Sequence, residues 1–310
     1  MSIYPKCANS FMECISSDKM LLNKYIINNI IKVRPFDVTL RDGLQALSVE
    51  EQIKFTTDNK KTLYTYITQK YNPTNLEIGS IVNKKVLPIF NDTEELFNYA
   101  ETNKNKMHYA LIPNQYKLND AINLGVKNFS FITSVSNSFQ IKNTNKTVSE
   151  NYSNLNNMMV YLANSQIENY KVKLYVSCIN ECPIEGKIDM STIIGELFTL
   201  SLLKFDRICL SDTCGSLTNS DFIDIIENTR KVGIDTKRFS LHLHIREEKE
   251  YEAEKIFHSA LDYGINEFDV SHLKSGGCSV TMDKNKIAPN MSYEQYYKFL
   301  TKYLINTDNL

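Results

Sequence analysis

The sharpest chemical feature of the chain is a pair of histidines one residue apart, His242-Leu243-His244. They close an apolar run over residues 239–244 that reads as a β-strand. Residues i and i+2 of a strand project to one face, so both imidazoles point one way while Leu243 packs the other. Two imidazoles with a carboxylate nearby make a divalent-cation site; two imidazoles bonded only to backbone are the plain structural alternative. A carboxylate is available in Asp37-Val38-Thr39-Leu40-Arg41-Asp42-Gly43-Leu44-Gln45, which follows an apolar run and turns loop-like at Gly43. Alone, Arg41-Asp42 is an ordinary loop ion pair. Beside His242 and His244, Asp42 completes a mixed oxygen and nitrogen donor set that suits Mg²⁺ or Mn²⁺, and Zn²⁺ less. The third feature is Cys278, behind Gly276-Gly277. A thiol on a glycine hinge can pass a proton or act as a nucleophile; the alternative is a small residue buried in a turn.

These groups act together only if distant segments share one rim. Short apolar or β-branched runs recur at residues 31–38, 75–78, 107–112, 128–133, 171–178, 207–211, 239–244 and 267–271. Helix-like stretches fall between them at 50–70, 93–102, 118–124, 149–166, 192–203, 219–232 and 248–263. Several stop at glycine, as at Leu124-Gly125, Val232-Gly233 and Tyr263-Gly264, the usual helix terminator. Strands alternating with helices predict parallel pairing through right-handed crossovers. The expected fold is α/β, a (β/α)8 TIM barrel. A doubly wound open sheet is the alternative, but it usually carries a glycine-rich loop after its first strand, and Gly43 alone is no such loop. Barrel chemistry lies at the C-terminal strand ends. Those ends hold Arg41-Asp42, Glu77, Tyr175, Asp212-Thr213, His242 and His244, and the eighth leads to Cys278.

Composition narrows the function classes. A net charge of −1 argues against a general nucleic-acid binder. No apolar run reaches the length of a membrane span. Seven cysteines, an odd number, do not read as a disulfide framework and point to reduced thiols in a cytoplasmic compartment. Cys178 and Cys182 lack a second matching pair, so zinc is not expected there. Residues 1–30 lack the features of a targeting signal. They read as an N-terminal extension to a catalytic domain over 31–310, which ends in a short C-terminal helical segment.

The motifs resemble the metal-dependent acyl-CoA lyases and synthases that share a (β/α)8 barrel, and most closely the hydroxymethylglutaryl-CoA lyases. The resemblance rests on Asp37-x-Thr39-Leu40-Arg41-Asp42-Gly43-Leu44-Gln45, on Leu76-Glu77-Ile78-Gly79-Ser80 with Pro88 beyond, and on Tyr109-Ala110-Leu111-Ile112-Pro113-Asn114. Tyr175-Val176-Ser177-Cys178-Ile179-Asn180-Glu181-Cys182-Pro183-Ile184-Glu185-Gly186-Lys187 is its most specific stretch. Ser211-Asp212-Thr213-Cys214-Gly215, His242-x-His244 and Gly276-Gly277-Cys278 complete it, in order, from about residue 31 to 300.

The resemblance implies retro-Claisen cleavage of 3-hydroxy-3-methylglutaryl-CoA, or a related 3-hydroxyacyl-CoA, to acetyl-CoA and acetoacetate. Asp42, His242, His244 and Asn290 would hold the cation, with Asn285 as a second candidate for the last place. Arg41 would stabilise the enolate, Cys278 would protonate it, and His242 or a water would take the hydroxyl proton. Glu77 would orient its neighbours, and Gln45, Tyr175, Asp212 and Thr213 would contact substrate. The implied partner is a small acyl-CoA, with neither nucleic acid nor membrane, and a homodimer is possible. The chain departs from the family pattern at Ile245-Arg246-Glu247, at Ser279-Val280-Thr281, at Leu47-Ser48 where a basic residue is usual, and in a shortened C-terminal segment. Two alternatives stay open: a synthase-branch carboligase condensing an acyl-CoA with a 2-oxo acid, and a catalytically weak homologue acting as a binding protein.

Overall fold

A computed structural model describes residues 33–83, 85–277 and 288–307. The expected extension, Cys278 and Asn285 lie outside the described residues. All eight predicted strands form: β1 Arg34–Asp37, β2 Asn75–Ser80, β3 Met107–Leu111, β4 Asn128–Ser134, β5 Lys171–Ser177, β6 Arg207–Asp212, β7 Phe239–Leu243 and β8 Glu267–Val270. They pair in parallel in chain order, and β8 closes on β1 through Arg34 opposite Glu267 and Asp37 opposite Val270. The fold is the (β/α)8 barrel that the alternation predicts.

The outer helices are α1 Thr57–Lys70, α2 Thr93–Ala100, α3 Gln115–Asn123, α4 Val148–Ala163, α5 Met190–Ser201, α6 Asn219–Lys231, α7 Glu250–Asp262 and α8 Tyr293–Thr307. Among the described residues none is long and apolar enough to cross a membrane. Side-chain caps set several starts: Thr56, Asn114, Thr147 and Thr218 each accept a backbone N–H from the first turn. Gly125, Gly233 and Gly264 follow α3, α6 and α7 with φ of 80°, 86° and 80°, the left-handed stop that the glycine pattern predicts.

Three local readings change. The expected helix over 50–70 is two: a short one at Val49–Gln52, boxed by Ser48 and Glu51, and then α1 with its own cap. A helix at Asn137–Thr144, capped by Ser136, lies in the β4–α4 connection, where none is predicted. The first strand stops at Asp37, and Thr39–Gly43 wind into a wide turn whose residues are all buried. The Gly43 N–H donates to the Val38 carbonyl at 3.1 Å, an i→i+5 bond, of the kind often found where a helix is locally widened at a functional site.

Alternation along the strands sorts two interiors. Leu174 and Val176 of β5 join Leu76, Ile78, Phe129, Phe131, Leu210 and Phe268 in the apolar layer under the helices. Lys173 and Tyr175 of the same strand point to the barrel axis, with Phe36, Tyr109 and Cys209. The axis is partly ionic, although barrel interiors are usually filled by branched apolar side chains. The Lys173 ammonium bonds Asp269 Oδ1 and, at 3.2 Å, Glu267 Oε1; it sits 3.5 Å from the centre of the Phe36 ring. Asn75 Nδ2 donates to Glu267 Oε2 at 3.3 Å.

Candidate active site

The C-terminal strand ends surround a cavity of about 670 Å³, lined among others by Arg41, Asp42, Gln45, Tyr175, Thr213, His242 and His244. They come from several separate parts of the rim. The wide turn after β1 brings Arg41 and Asp42 inward. Strand β7 carries His242, and His244 follows one step past its end. Asn290 arrives from much later in the chain: the Met291 N–H donates to the Leu243 carbonyl at 3.1 Å, and the Ile245 N–H to that of Pro289 at 2.8 Å. This pairing lays residues 289–291 across the end of β7 and sets Asn290 opposite His244.

One ligand atom each from Asp42, His242 and His244 lies within 4.8 Å of the others, and all three residues are buried. The two Nε2 atoms are 3.2 Å apart, and His242 Nε2 is 3.9 Å from Asp42 Oδ2. Asp42 Oδ2 also accepts from Asn290 Nδ2 at 2.8 Å and from the Gly277 N–H at 3.1 Å. One buried acceptor of this group, Asn290 Oδ1, has no hydrogen-bond partner among the described residues. Such an orphan is costly unless something satisfies it. A carboxylate, two imidazoles and a carboxamide converging in a buried pocket fit a divalent cation.

The electrostatics fit as well. Burial alone would raise the Asp42 carboxyl, but Arg41, His242 and His244 outweigh it and hold it well below the usual carboxylate range. Burial, helped by the neighbouring His242, pushes His244 down to about 3, so its ring is neutral and its lone pair available. Arg41 stays charged: burial opposes the cation, and Glu77 and Asp42 more than compensate. Its Nε donates to Glu77 Oε2 and its Nη1 to Asp42 Oδ1, both at 2.5 Å. Its Cζ lies 5.0 Å from the centre of the Tyr175 ring, and the Tyr175 hydroxyl donates to the same Glu77 oxygen at 3.2 Å. Glu77 is fully buried in β2, beside a register shift between Glu77 and Gly79.

The remaining predicted residues spread more widely. Gln45 and Thr213 line the cavity, and Thr213 Oγ1 accepts the Cys178 N–H at 2.8 Å. Asp212 is not among the lining residues: its carboxylate accepts the backbone N–H groups of Ser216 and Leu217 and ties the loop after β6. His272 bonds the Tyr71 hydroxyl and His258 the Phe299 carbonyl, both outside the cation-competent group. Sequence reasoning missed Asp269, whose Oδ2 lies 3.0 Å from His242 Nδ1; its signal was a carboxylate alternating into a buried strand. It also missed Lys117, Lys142 and Lys146 on the cavity rim.

A family model settles the kinship, matching residues 32–246 under the description HMGL-like. The chain belongs to the HMGL-like family. It is 27% identical over 251 residues to a 3-hydroxy-3-isohexenylglutaryl-CoA/hydroxymethylglutaryl-CoA lyase of Pseudomonas aeruginosa, covering 80% of this chain and 78% of that one. The crystal structure of the Bacillus subtilis HMG-CoA lyase superposes with a TM-score of 0.75 at 25% identity, covering 88% and 86%. An HMG-CoA lyase from Acinetobacter baumannii, solved with coenzyme A and 3-methylmalate, superposes at 0.73 with 22% identity, covering 87% and 84%. These homologues support a lyase.

Proposed function

We propose that the protein is a divalent-metal-dependent lyase that cleaves 3-hydroxy-3-methylglutaryl-CoA, or a close 3-hydroxyacyl-CoA, to acetyl-CoA and a 3-oxo acid. The observation that carries this reading is the convergence of Asp42, His242 and His244 beside Arg41 at the mouth of the cavity, in a chain of this family. Asp42, His242, His244 and Asn290 are the residues that would hold the cation. When bound, a divalent cation supplies Lewis-acid polarisation of the substrate's hydroxyl and carbonyl oxygens.

The other roles follow from position. Loss of the 3-hydroxyl proton lets the C2–C3 bond break; its electron pair passes into the thioester enolate, and the 3-oxo acid leaves. His242 offers the site a single nitrogen, Nε2, because Nδ1 is engaged by Asp269. One lone pair cannot both hold a cation and take a proton, so we assign His242 to the cation set and the hydroxyl proton to solvent in the cavity. Arg41, kept charged and aimed by Glu77 and Tyr175, stabilises the developing enolate oxygen. Cys278 is assigned the proton that completes acetyl-CoA at the enolate carbon. It is the next residue after Gly277, whose N–H reaches Asp42. Lys117, Lys142 and Lys146 on the rim suit a phosphate-bearing acyl carrier.

The test is release of acetyl-CoA from 3-hydroxy-3-methylglutaryl-CoA with added Mg²⁺ or Mn²⁺, read in a coupled assay. Turnover that is lost in Cys278→Ala and Arg41→Gln supports the reading. No turnover with this or any 3-hydroxyacyl-CoA sinks it.

A further inference from the structure

We propose that Asp269, anchored by Lys173, is a positioning residue that fixes the orientation and tautomer of His242 in the cation-binding set. The inference rests on that set being Asp42, His242 and His244. The carboxylate lies between the two partners. Its Oδ1 accepts from Lys173 Nζ; its Oδ2 lies 3.0 Å from His242 Nδ1 and 3.9 Å from the Cys209 thiol. An ionised carboxylate can only accept, so the proton between Asp269 and His242 sits on Nδ1. The Nε2 lone pair then faces His244 and Asp42. All three members stand on barrel strands, Lys173 on β5, His242 on β7 and Asp269 on β8, which hold side chains more rigidly than loops do.

Stability alone does not account for this arrangement. Lys173 and Asp269 are each about 99% buried, and a buried ion pair seldom outperforms well-packed apolar side chains of equal volume. Lys173 already has a second carboxylate in Glu267. What Asp269 adds is an oxygen that reaches a ligand imidazole, the kind of supporting bond that orients metal-binding histidines. Lys173 makes the carboxylate directional. In Asp269→Asn the amide oxygen must serve Lys173, which turns the NH2 group toward His242 Nδ1 and moves the ring proton to Nε2, into the site.

The test compares Mn²⁺ affinity, by calorimetry on chelator-treated protein, in the wild type, Asp269→Asn and the apolar double variant Lys173→Met/Asp269→Leu. The expected result is binding weakened by about 10–100-fold in both variants, including the double variant, in which the ion pair is removed as a unit. Wild-type affinity in Asp269→Asn, or in a folded double variant, would assign Asp269 a structural role only and overturn the inference. Wild-type protein that binds no Mn²⁺ would instead fail the metal-site reading itself. Nitrogen-15 NMR of histidine-labelled, metal-free wild type tests the tautomer without any variant. A proton on His242 Nδ1 supports the inference, and a ring protonated at Nε2 alone overturns it.

Discussion

The barrel axis holds two buried ionic clusters that are built differently. In the lower one, around Lys173, every carboxylate oxygen has a donor: Asp269 takes Lys173 and His242, and Glu267 takes Lys173 and Asn75. At the mouth the accounts do not close. Glu77 Oε1 and Asn290 Oδ1 are buried with no partner among the described residues. Both clusters bear the cost of desolvated charge, and the lower one also leaves an orphan in Asn75 Oδ1, but only the upper one borders the cavity with ligand-type side chains, Asp42, His242 and His244. The lower cluster acts on the site only through the Asp269–His242 contact, whereas the upper one presents metal-ligand side chains to the cavity directly. Asp37 and Asp42 repeat the contrast within five residues. Both are buried. Asp42 is held low by Arg41 and two imidazoles, whereas Asp37 meets only neutral donors, Thr39 and Tyr293, and burial pushes it up to about 7.

Removing the cation of the lower cluster should hurt folding most. Lys173→Met leaves two buried carboxylates uncompensated and is expected to lower stability by about 3–5 kcal/mol, read by urea denaturation. At the mouth, Arg41→Gln also takes a cation from two buried carboxylates, Asp42 and Glu77, but the amide can still donate to one of them, and the larger loss falls on turnover. Arg41→Gln should reduce kcat by about 10²–10³-fold, the usual cost of one oxyanion donor, in the acetyl-CoA release assay. Equal damage to folding in both variants would erase the distinction.

The Asp37 contrast appears in pH dependence. Its folded pKa, about 7, lies above the ordinary 3.8. The stabilising contribution of the protonated form is therefore complete below about pH 4 and is lost as pH rises through 7, by at most about 1.4 kcal/mol per pH unit. Asp37→Asn should flatten this slope between pH 4 and 7 in thermal melts; an unchanged slope would show that Asp37 does not carry it. A smaller effect is expected at Gly276, where an added Cβ would lie 2.5 Å from the Asn290 side chain and 2.6 Å from its backbone nitrogen. Gly276→Ala should cost about 1–3 kcal/mol as an overpacked site and weaken Mn²⁺ binding by displacing Asn290. His272→Ala, remote from the donor set, should leave Mn²⁺ binding unchanged.

Sequence reading works well where the signal is local. Parallel strands buried on both faces appear as short apolar runs, and glycine stops separate them from helices, so all eight strands and their order are legible. The i, i+2 spacing of His242 and His244 predicts a shared face, and the strand delivers it. What is not legible depends on distant partners. Nothing near Lys173 says that a lysine in an apolar run will lie on the barrel axis, because its carboxylate is 96 residues away. The wide turn at Thr39–Gly43 has no compositional mark. Gly276 reads as a hinge in the sequence, but in the fold it is a point of close approach to Asn290. Asn290 itself is placed by backbone pairing with residues 243–245, which no spacing rule anticipates.

The most direct test of the central claim is Mn²⁺ titration of chelator-treated protein, comparing wild type with Asp42→Ala, His242→Ala and His244→Ala. The account predicts one tight Mn²⁺ per wild-type chain and loss of that site in each variant that still folds. A wild-type chain that binds no Mn²⁺, or variants that bind it as well as wild type does, would contradict it.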